Sequence, residues 1–310
     1  MDIISEIDGF EAPWQDCVLT LGDFDGIHRG HRKLIDTTLK YANRLQVPAV
    51  VVTYHPSPKK VLRKLKTDSQ VYTKDEKITL LQKFPLRAAV FLPFDEQIAK
   101  MTASDFLKKI LLDKLHARHI VIGYDHRFGF NRHGDYGYLK MASKKHDFKV
   151  KQIGPVKLWR EVISSSAIRK YLRAGKVTRA SRLLGHPYLI TGTVIRGKQR
   201  GRLLGIPTAN LRIAPEKLIP KEGVYYCVAQ YGPKTYKAVV NIGFNPTFEN
   251  IDLSVEAHIL GFNDDIYGDT LRIYFLKRLR DEKKFHSIEA LKEQIQKDIN
   301  KAKKQNIIEL

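Results

Sequence analysis

Two clusters in this 310-residue chain combine residue types and spacing suited to phosphate chemistry. In the first, Gly22-Asp23-Phe24-Asp25-Gly26-Ile27-His28-Arg29-Gly30-His31, three glycines let the backbone turn tightly and approach a ligand closely. The helix expected to open there offers unpaired N–H groups and the positive end of its dipole to an anion. His28 and His31, three residues apart, project to one side of a first helical turn. They can donate hydrogen bonds to phosphate oxygens as charge builds during transfer. A lone His-x-Gly-His is more often a solvated turn, but two histidines, three glycines and a strand–loop–helix setting together favour phosphate. Zinc would need a third and a fourth ligand at sensible spacing, and none is evident.

Two further segments extend this cluster. Ser164, Ser165 and Ser166 precede a helix that carries Arg169. One such serine commonly caps the helix, while three hydroxyls and a guanidinium also make a clamp for a triphosphate. Between the two lies Gly123-Tyr124-Asp125-His126-Arg127-Phe128-Gly129, at the end of a strand pattern. In an open parallel sheet ligands bind beyond the carboxyl ends of strands, where all three segments then fall.

The second cluster starts at Gly197 and continues through Gly201-Arg202 to Gly205-Ile206-Pro207-Thr208-Ala209-Asn210. Its glycines permit a loop around phosphate. Thr208 and Asn210 alternate along an extended segment and present neutral oxygens on one face, donors that Mg²⁺ accepts beside ATP phosphates. Downstream, Glu256 and His258 share a face of a strand pattern, and a carboxylate there can take the proton from an alcohol that displaces ADP. Singly, a Pro-Thr-x-Asn is a turn and a strand glutamate faces solvent. Jointly with the glycine loop they are much harder to dismiss.

The elements that must position these groups change character near residue 186. Residues 18–21, 49–53, 88–92 and 119–123 read as buried strands, with helical spacing over 33–45, 74–84 and 103–115 between them. That alternation implies an α/β unit with a parallel sheet covered on both faces. A helical bridge is expected over 169–186. Beyond it, 188–195, 223–231, 236–242, 254–260 and 270–276 are β-rich and divided by turns, which suggests a small closed antiparallel barrel. A charged helix over about 288–305 follows. Two domains are expected, 1–186 and 187–310.

Composition narrows the partners. The 54 Lys and Arg against 33 Asp and Glu leave a charge of +21, which attracts polyanions without choosing among them. No apolar run approaches the roughly 18–20 residues of a membrane span, the first residues lack a signal-peptide pattern, and two distant cysteines indicate no disulfide framework. A cytoplasmic, soluble protein without a membrane partner is expected. A nucleic-acid-binding reading of the basic surface would leave Thr208, Asn210 and Glu256 without a role, and ranks below an enzyme.

In order and spacing, the first cluster, the Gly-x-Asp-x-x-Phe-Gly loop at Gly123 and Ile163-Ser164-Ser165-Ser166-Ala167-Ile168-Arg169 resemble the prokaryotic bifunctional riboflavin kinase/FMN adenylyltransferases, or FAD synthetases. So do Gly205–Asn210, Gly223-Val224-Tyr225, the stretch from Asn241 to Phe248, and Glu256-x-His258, so the likeness spans nearly the whole chain. It implies a Rossmann-like nucleotidyltransferase domain followed by a riboflavin-kinase-type barrel and a C-terminal helix. It implies that His28, His31 and Arg169 act on ATP phosphates, with Gly22, Phe24, Asp25, Gly26, Gly30, Gly123, Asp125, Arg127 and Ser164–Ser166 around the nucleotide. In the kinase it implies nucleotide contacts at Gly197, Gly201 and Arg202, Mg²⁺ at Thr208 and Asn210, and Glu256 as base for the ribityl hydroxyl. Arg280 and Phe285 resemble the family's flavin side. Substrates and products would be riboflavin, FMN, FAD and ATP. One segment departs: where the family carries Thr-Phe-x-Pro-His-Pro, this chain reads Thr53-Tyr54-His55-Pro56-Ser57-Pro58. Either His55 substitutes for the missing histidine at Ser57, or the FMN side is altered and the chain is a kinase that adenylylates FMN poorly.

Overall fold

The computed structural model describes residues 1–7, 9–62, 69–197, 205–246 and 251–307. The chain divides into two compact units: Met1–Asp68 with Lys77–Ser164, and Ser69–Glu76 with Ser165–Leu310. A short piece from the middle of the first half thus belongs to the second unit.

In the first unit the apolar runs pair as a six-stranded parallel sheet. Its strands are β1 (Asp2–Ile4), β2 (Cys17–Leu21), β3 (Ala49–Tyr54), β4 (Ala88–Leu92), β5 (Ala117–Gly123) and β6 (Lys149–Ile153), in the order β1-β4-β3-β2-β5-β6. Every residue of β2, β3 and β4 is buried, as sequences rich in Val, Leu and Ala require when both faces are covered. The helix Arg29–Leu45 buries Leu34, Ile35, Thr38 and Ala42, one stripe at helical spacing. A two-stranded hairpin, β7 (Lys157–Leu158) with β8 (Glu161–Val162), closes the unit.

Two expectations are corrected here. The sheet has six strands rather than four, because the edge strand β1 is only three residues long and β6 interrupts its apolar residues with two lysines and a glutamine. The helix expected over 103–115 is α-helical only at Ala103–Asp105 and winds as a π-helix over Phe106–Lys114. Leu115 N–H bonds to Ile110 O, five residues back, and apolar spacing does not distinguish that winding.

In the second unit β9 (Tyr188–Ile195), β10 (Ala209–Ile213), β11 (Gly223–Tyr231), β12 (Lys234–Pro246), β13 (Ile251–Ile259) and β14 (Thr270–Arg280) close an antiparallel barrel in the order β10-β13-β12-β11-β14-β9. Tyr225 and Cys227 are buried on one face of β11. Alternating with them, Val224 and Tyr226 pack with Val239, Ile299 and Ala302, so the C-terminal helix Ile288–Lys303 lies on the outer face. The expected bridge is two helices, Ser165–Arg173 and Val177–Leu184, broken where Gly175 takes a φ of +69°. Both cysteines are free and buried.

The segment Ser69–Glu76 is fixed to the barrel by an ion pair with no exposed surface. Lys217 Nζ donates to Glu76 Oε2 at 2.6 Å, to Val71 O at 2.7 Å and to Leu189 O at 2.6 Å. Glu76 accepts Thr191 N–H at 2.7 Å and Thr73 N–H at 3.1 Å. The rings of Tyr72 and Tyr188 flank the ammonium, each centroid 4.4 Å away. Every donor of the lysine is used, which is the condition for such a pair to persist. Lys217→Met leaves the Glu76 carboxylate buried without its cation. It should cost about 3–5 kcal/mol in urea unfolding, and adding Glu76→Gln should recover part of that loss.

Candidate functional site

The first unit's strand order places β2 between β3 and β5, and the chain's direction of progression across the sheet reverses at β2/β5. Loops leaving the carboxyl ends of these three neighbours share one edge, the position at which parallel sheets bind ligands. They are the loop to His28, the turn at His55–Ser57 and the loop from Gly123.

The first loop is tightly tied. Asp23 O accepts Thr53 Oγ1 at 3.0 Å and Lys77 Nζ at 2.8 Å, and Phe24, Asp25 and His28 are buried. His28 is the N-cap of Arg29–Leu45: its Nδ1 accepts His31 N–H at 3.2 Å. An accepting Nδ1 puts the ring's proton on Nε2, leaving that atom as the donor. The His28 and His31 rings stack with centroids 3.6 Å apart. Gly30 makes room for this fold-back, since a Cβ there would stand 3.0 Å from His28 Cε1. Burial, then His28, then Lys77 hold His31 well below the usual histidine range, so its ring is neutral. Its Nδ1 is buried without a hydrogen-bond partner among the described residues.

Lys77, with 3% of its side chain exposed, also lies 3.8 Å from Asp23 Oδ1. It was not singled out by sequence, because a lysine on a helical pattern ordinarily reads as a solvated face.

On the loop after β5, Asp125 and Arg127 are exposed, and Arg127 Nη1 donates to His126 O at 3.0 Å. Burial, with Arg132 and Arg127 nearby, lowers the His126 pKa to about 4. At the end of β3, His55 is half-buried and its N–H bonds to Leu92 O. Ser57 is buried, and its Oγ accepts Lys60 N–H at 3.3 Å as the helix Pro58–Leu62 begins. Ser164 ends the first unit; Ser165, Ser166 and Arg169 lie on the opening helix of the second, where Arg169 Nε donates to Ser69 O at 3.2 Å.

The barrel carries the second cluster. A cavity of about 480 Å³ is lined by Gly197, Pro207, Thr208, Asn210, Asp264 and Tyr267 among others. Asn210 pairs with Glu256 across the β10–β13 ladder, so both side chains stand on one face, about 4.5–5.5 Å apart at Cβ. Gly197 is needed for close approach, since a Cβ there would lie 2.2 Å from Asn210 Nδ2. His258 Nδ1 lies 2.8 Å from Pro207 O, tying the loop before Thr208 to β13. Gly201 and Arg202 lie outside the described residues.

Arg280 has a structural partner that its sequence context did not suggest. Its Nε donates to the buried Asp298 at 2.7 Å, and its guanidinium lies 5.8 Å from the Phe285 ring centroid. It therefore clamps the C-terminal helix to β14.

A switch-point loop capped by His28, and a barrel whose register sets the Glu256 carboxylate opposite the Asn210 amide, match the arrangement of a phosphate-transferring enzyme of two modules. Residues 10–167 match the family model for FAD synthetase and residues 184–306 that for riboflavin kinase. The chain belongs to the family of bifunctional riboflavin kinase/FMN adenylyltransferases. The relative from Buchnera aphidicola (Acyrthosiphon pisum) is 35% identical, covering 96% of each chain. That from Escherichia coli K12 is 33% identical over 93% of this chain and 92% of its own. That from Bacillus subtilis 168 is 35% identical over 92% of this chain and 91% of its own. A solved structure from Streptococcus pneumoniae, named a macrolide-efflux protein, is 32% identical with a TM-score of 0.90, covering 99% of this chain and 100% of that one. In the present chain no helix among the described residues is long and apolar enough to cross a membrane.

The depressed histidines set a pH dependence of stability. The unfolded chain takes up protons near pH 6.5, whereas folded His126 resists until about pH 4 and His31 also lags. Stability therefore falls as pH drops from about 6.5 towards 4, by at most about 1.4 kcal/mol per pH unit for each such group. Urea unfolding at pH 7, 5.5 and 4.5 should show this slope, and His126→Asn should flatten it.

Proposed function

We propose that the chain makes FMN from riboflavin in the barrel and FAD from FMN at the edge of the parallel sheet, consuming one ATP at each site. Functionally the two steps fall to residues 187–310 and 1–186. The observation that carries the kinase reading is the pairing of Glu256 with Asn210 across one ladder, with Asn210 and Thr208 lining the same cavity.

In the barrel, Glu256 takes the proton of the ribityl 5′-hydroxyl as its oxygen attacks the γ-phosphorus of ATP. The bond to the β,γ-bridging oxygen breaks and ADP leaves. Thr208 and Asn210 offer neutral oxygens on the cavity wall, a donor set that fits Mg²⁺ with ATP oxygens and water as its remaining ligands. Bound there, Mg²⁺ would neutralise charge on the phosphates. Gly197 seats the Asn210 amide, and by family likeness Gly201 and Arg202 join it around the nucleotide. By the same likeness Phe285 faces the flavin, with Arg280 anchoring its loop.

At the sheet edge an FMN phosphate oxygen attacks the α-phosphorus of ATP and pyrophosphate leaves. That nucleophile is already an anion, so no general base is required. Positioning and charge neutralisation carry the step. His28 donates from Nε2. Neutral His31 donates without adding a charge of its own, and Gly22–Gly30 shape the loop around both. Asp125, Arg127 and Gly123 are assigned to the nucleotide side. Ser164, Ser165, Ser166 and Arg169 are assigned to the triphosphate by family likeness alone. His55 is our candidate for the flavin side, with Ser57 supporting its turn from beneath. The charge of +21 suits substrates and products that are all anionic apart from riboflavin.

Glu256→Gln should lower FMN formation by about 10²–10⁴-fold and leave FAD formation from supplied FMN intact. His31→Ala should do the reverse. Purified protein given FMN, ATP and Mg²⁺ should form FAD, and EDTA should stop the kinase step. If either substitution abolished both activities in a folded protein, the two-site assignment would fail.

A further inference from the structure

The barrel's register points to one more residue in the kinase chemistry: we propose that Asn241 is a positioning residue that orients the Glu256 carboxylate. This rests on the reading of Glu256 as the base. β13 lies between β10 and β12, and Glu256 pairs with Asn210 across one ladder and with Asn241 across the other. Residues directly opposite in antiparallel strands share a face. Asn210, Glu256 and Asn241 therefore form a row of amide, carboxylate and amide, each half-buried.

The two amides have different surroundings. Asn210 lines the cavity with Thr208 and is held against the Gly197 backbone. Asn241 stands on the other flank of Glu256. Its Nδ2 lies 3.1 Å from the point a Cβ on Gly243 would occupy, and Glu282 Oε1 lies 2.0 Å from that same point. Gly243, having no side chain, lets the Glu282 carboxylate come in beside the Asn241 amide. Asn241 thus has Glu256 opposite it across the ladder and Glu282, from the segment after β14, approaching at Gly243 two residues further along β12.

A carboxamide suits that place chemically. Its NH₂ group has two donors, enough to face both carboxylates, and it adds no charge. An acid would repel both neighbours, and an apolar residue would take the amide's donors away from this row. A base that must take a proton from one hydroxyl works only if its oxygen keeps a fixed direction, and Asn241 supplies that restraint.

The test is the pH–rate profile of FMN formation by the full-length chain. Asn241→Asp places another carboxylate opposite Glu256, and the acidic limb should move up by about one pH unit, because facing carboxylates resist joint ionisation. FAD formation from supplied FMN should stay at the level of the unaltered protein. Asn241→Ala should lower kcat for FMN formation by about 10–100-fold with the KM for riboflavin little changed. Asn241→Ser, which restores a small neutral donor, should recover part of that loss. An active Asn241→Asp protein with an unmoved profile would overturn the proposal, as would serine and alanine variants of equal kcat. Glu256→Gln separates the levels of failure. If it keeps its kinase activity, the base itself is misassigned; if it loses it while Asn241→Asp shows an unmoved profile, only the role of Asn241 falls.

Discussion

Register is the constraint on which the arrangement of Asn210, Glu256 and Asn241 in the barrel depends. Side chains alternate along a strand, so a slip of one residue in β13 would turn Glu256 into the barrel interior and set Val255 or Ala257 opposite Asn210 and Asn241. The barrel resists that slip because its interior is filled by large buried groups such as Tyr188, Tyr225 and Phe275, which fit one alignment. In the parallel sheet the equivalent constraint is strand order. Only with β3, β2 and β5 adjacent do their loops leave from one edge, and the fully buried strands between the helical layers hold that order.

Around the sheet-edge loop, polarity is handled by commitment rather than by exposure. The Asp23 carbonyl takes two donors, and His28 spends one nitrogen on its own helix. His31 is kept neutral by burial and by cationic neighbours. The two stacked rings are thereby held in fixed directions. Their advantage is that little must reorganise when charge develops on a phosphate.

Much of this was legible from residues alone. Valine- and leucine-rich runs gave away the buried strands, and glycine with histidine between a strand and a helix marked the sheet-edge loop. Thr208, Asn210 and Glu256 announced themselves by type, although only pairing brings Asn210 and Glu256 together across 45 intervening positions. Less legible were features whose signal lies in partners far along the chain. Lys77 looks like a surface lysine, Arg280 like a ligand group rather than the counter-ion of Asp298, and Asn241 like an ordinary polar residue of the β-rich segment 236–242. The π-helical winding leaves no mark in apolar spacing, because its buried Phe106, Leu107, Ile110 and Leu111 fit an α-helical stripe equally well.

The ion pair of Lys217 and Glu76 also bears on how the protein can be divided. The change in sequence texture near residue 186 invites a cut there, and a polypeptide starting at 187 would contain every barrel strand. It would lack Glu76, the Val71 carbonyl and the Tyr72 ring, and so would keep a lysine in its interior with most of its partners gone. The two reactions are separable as chemistry but not as contiguous stretches of gene. Fission that yields a free-standing kinase has to carry the octapeptide Ser69–Glu76 across the break, or replace Lys217 in the same step.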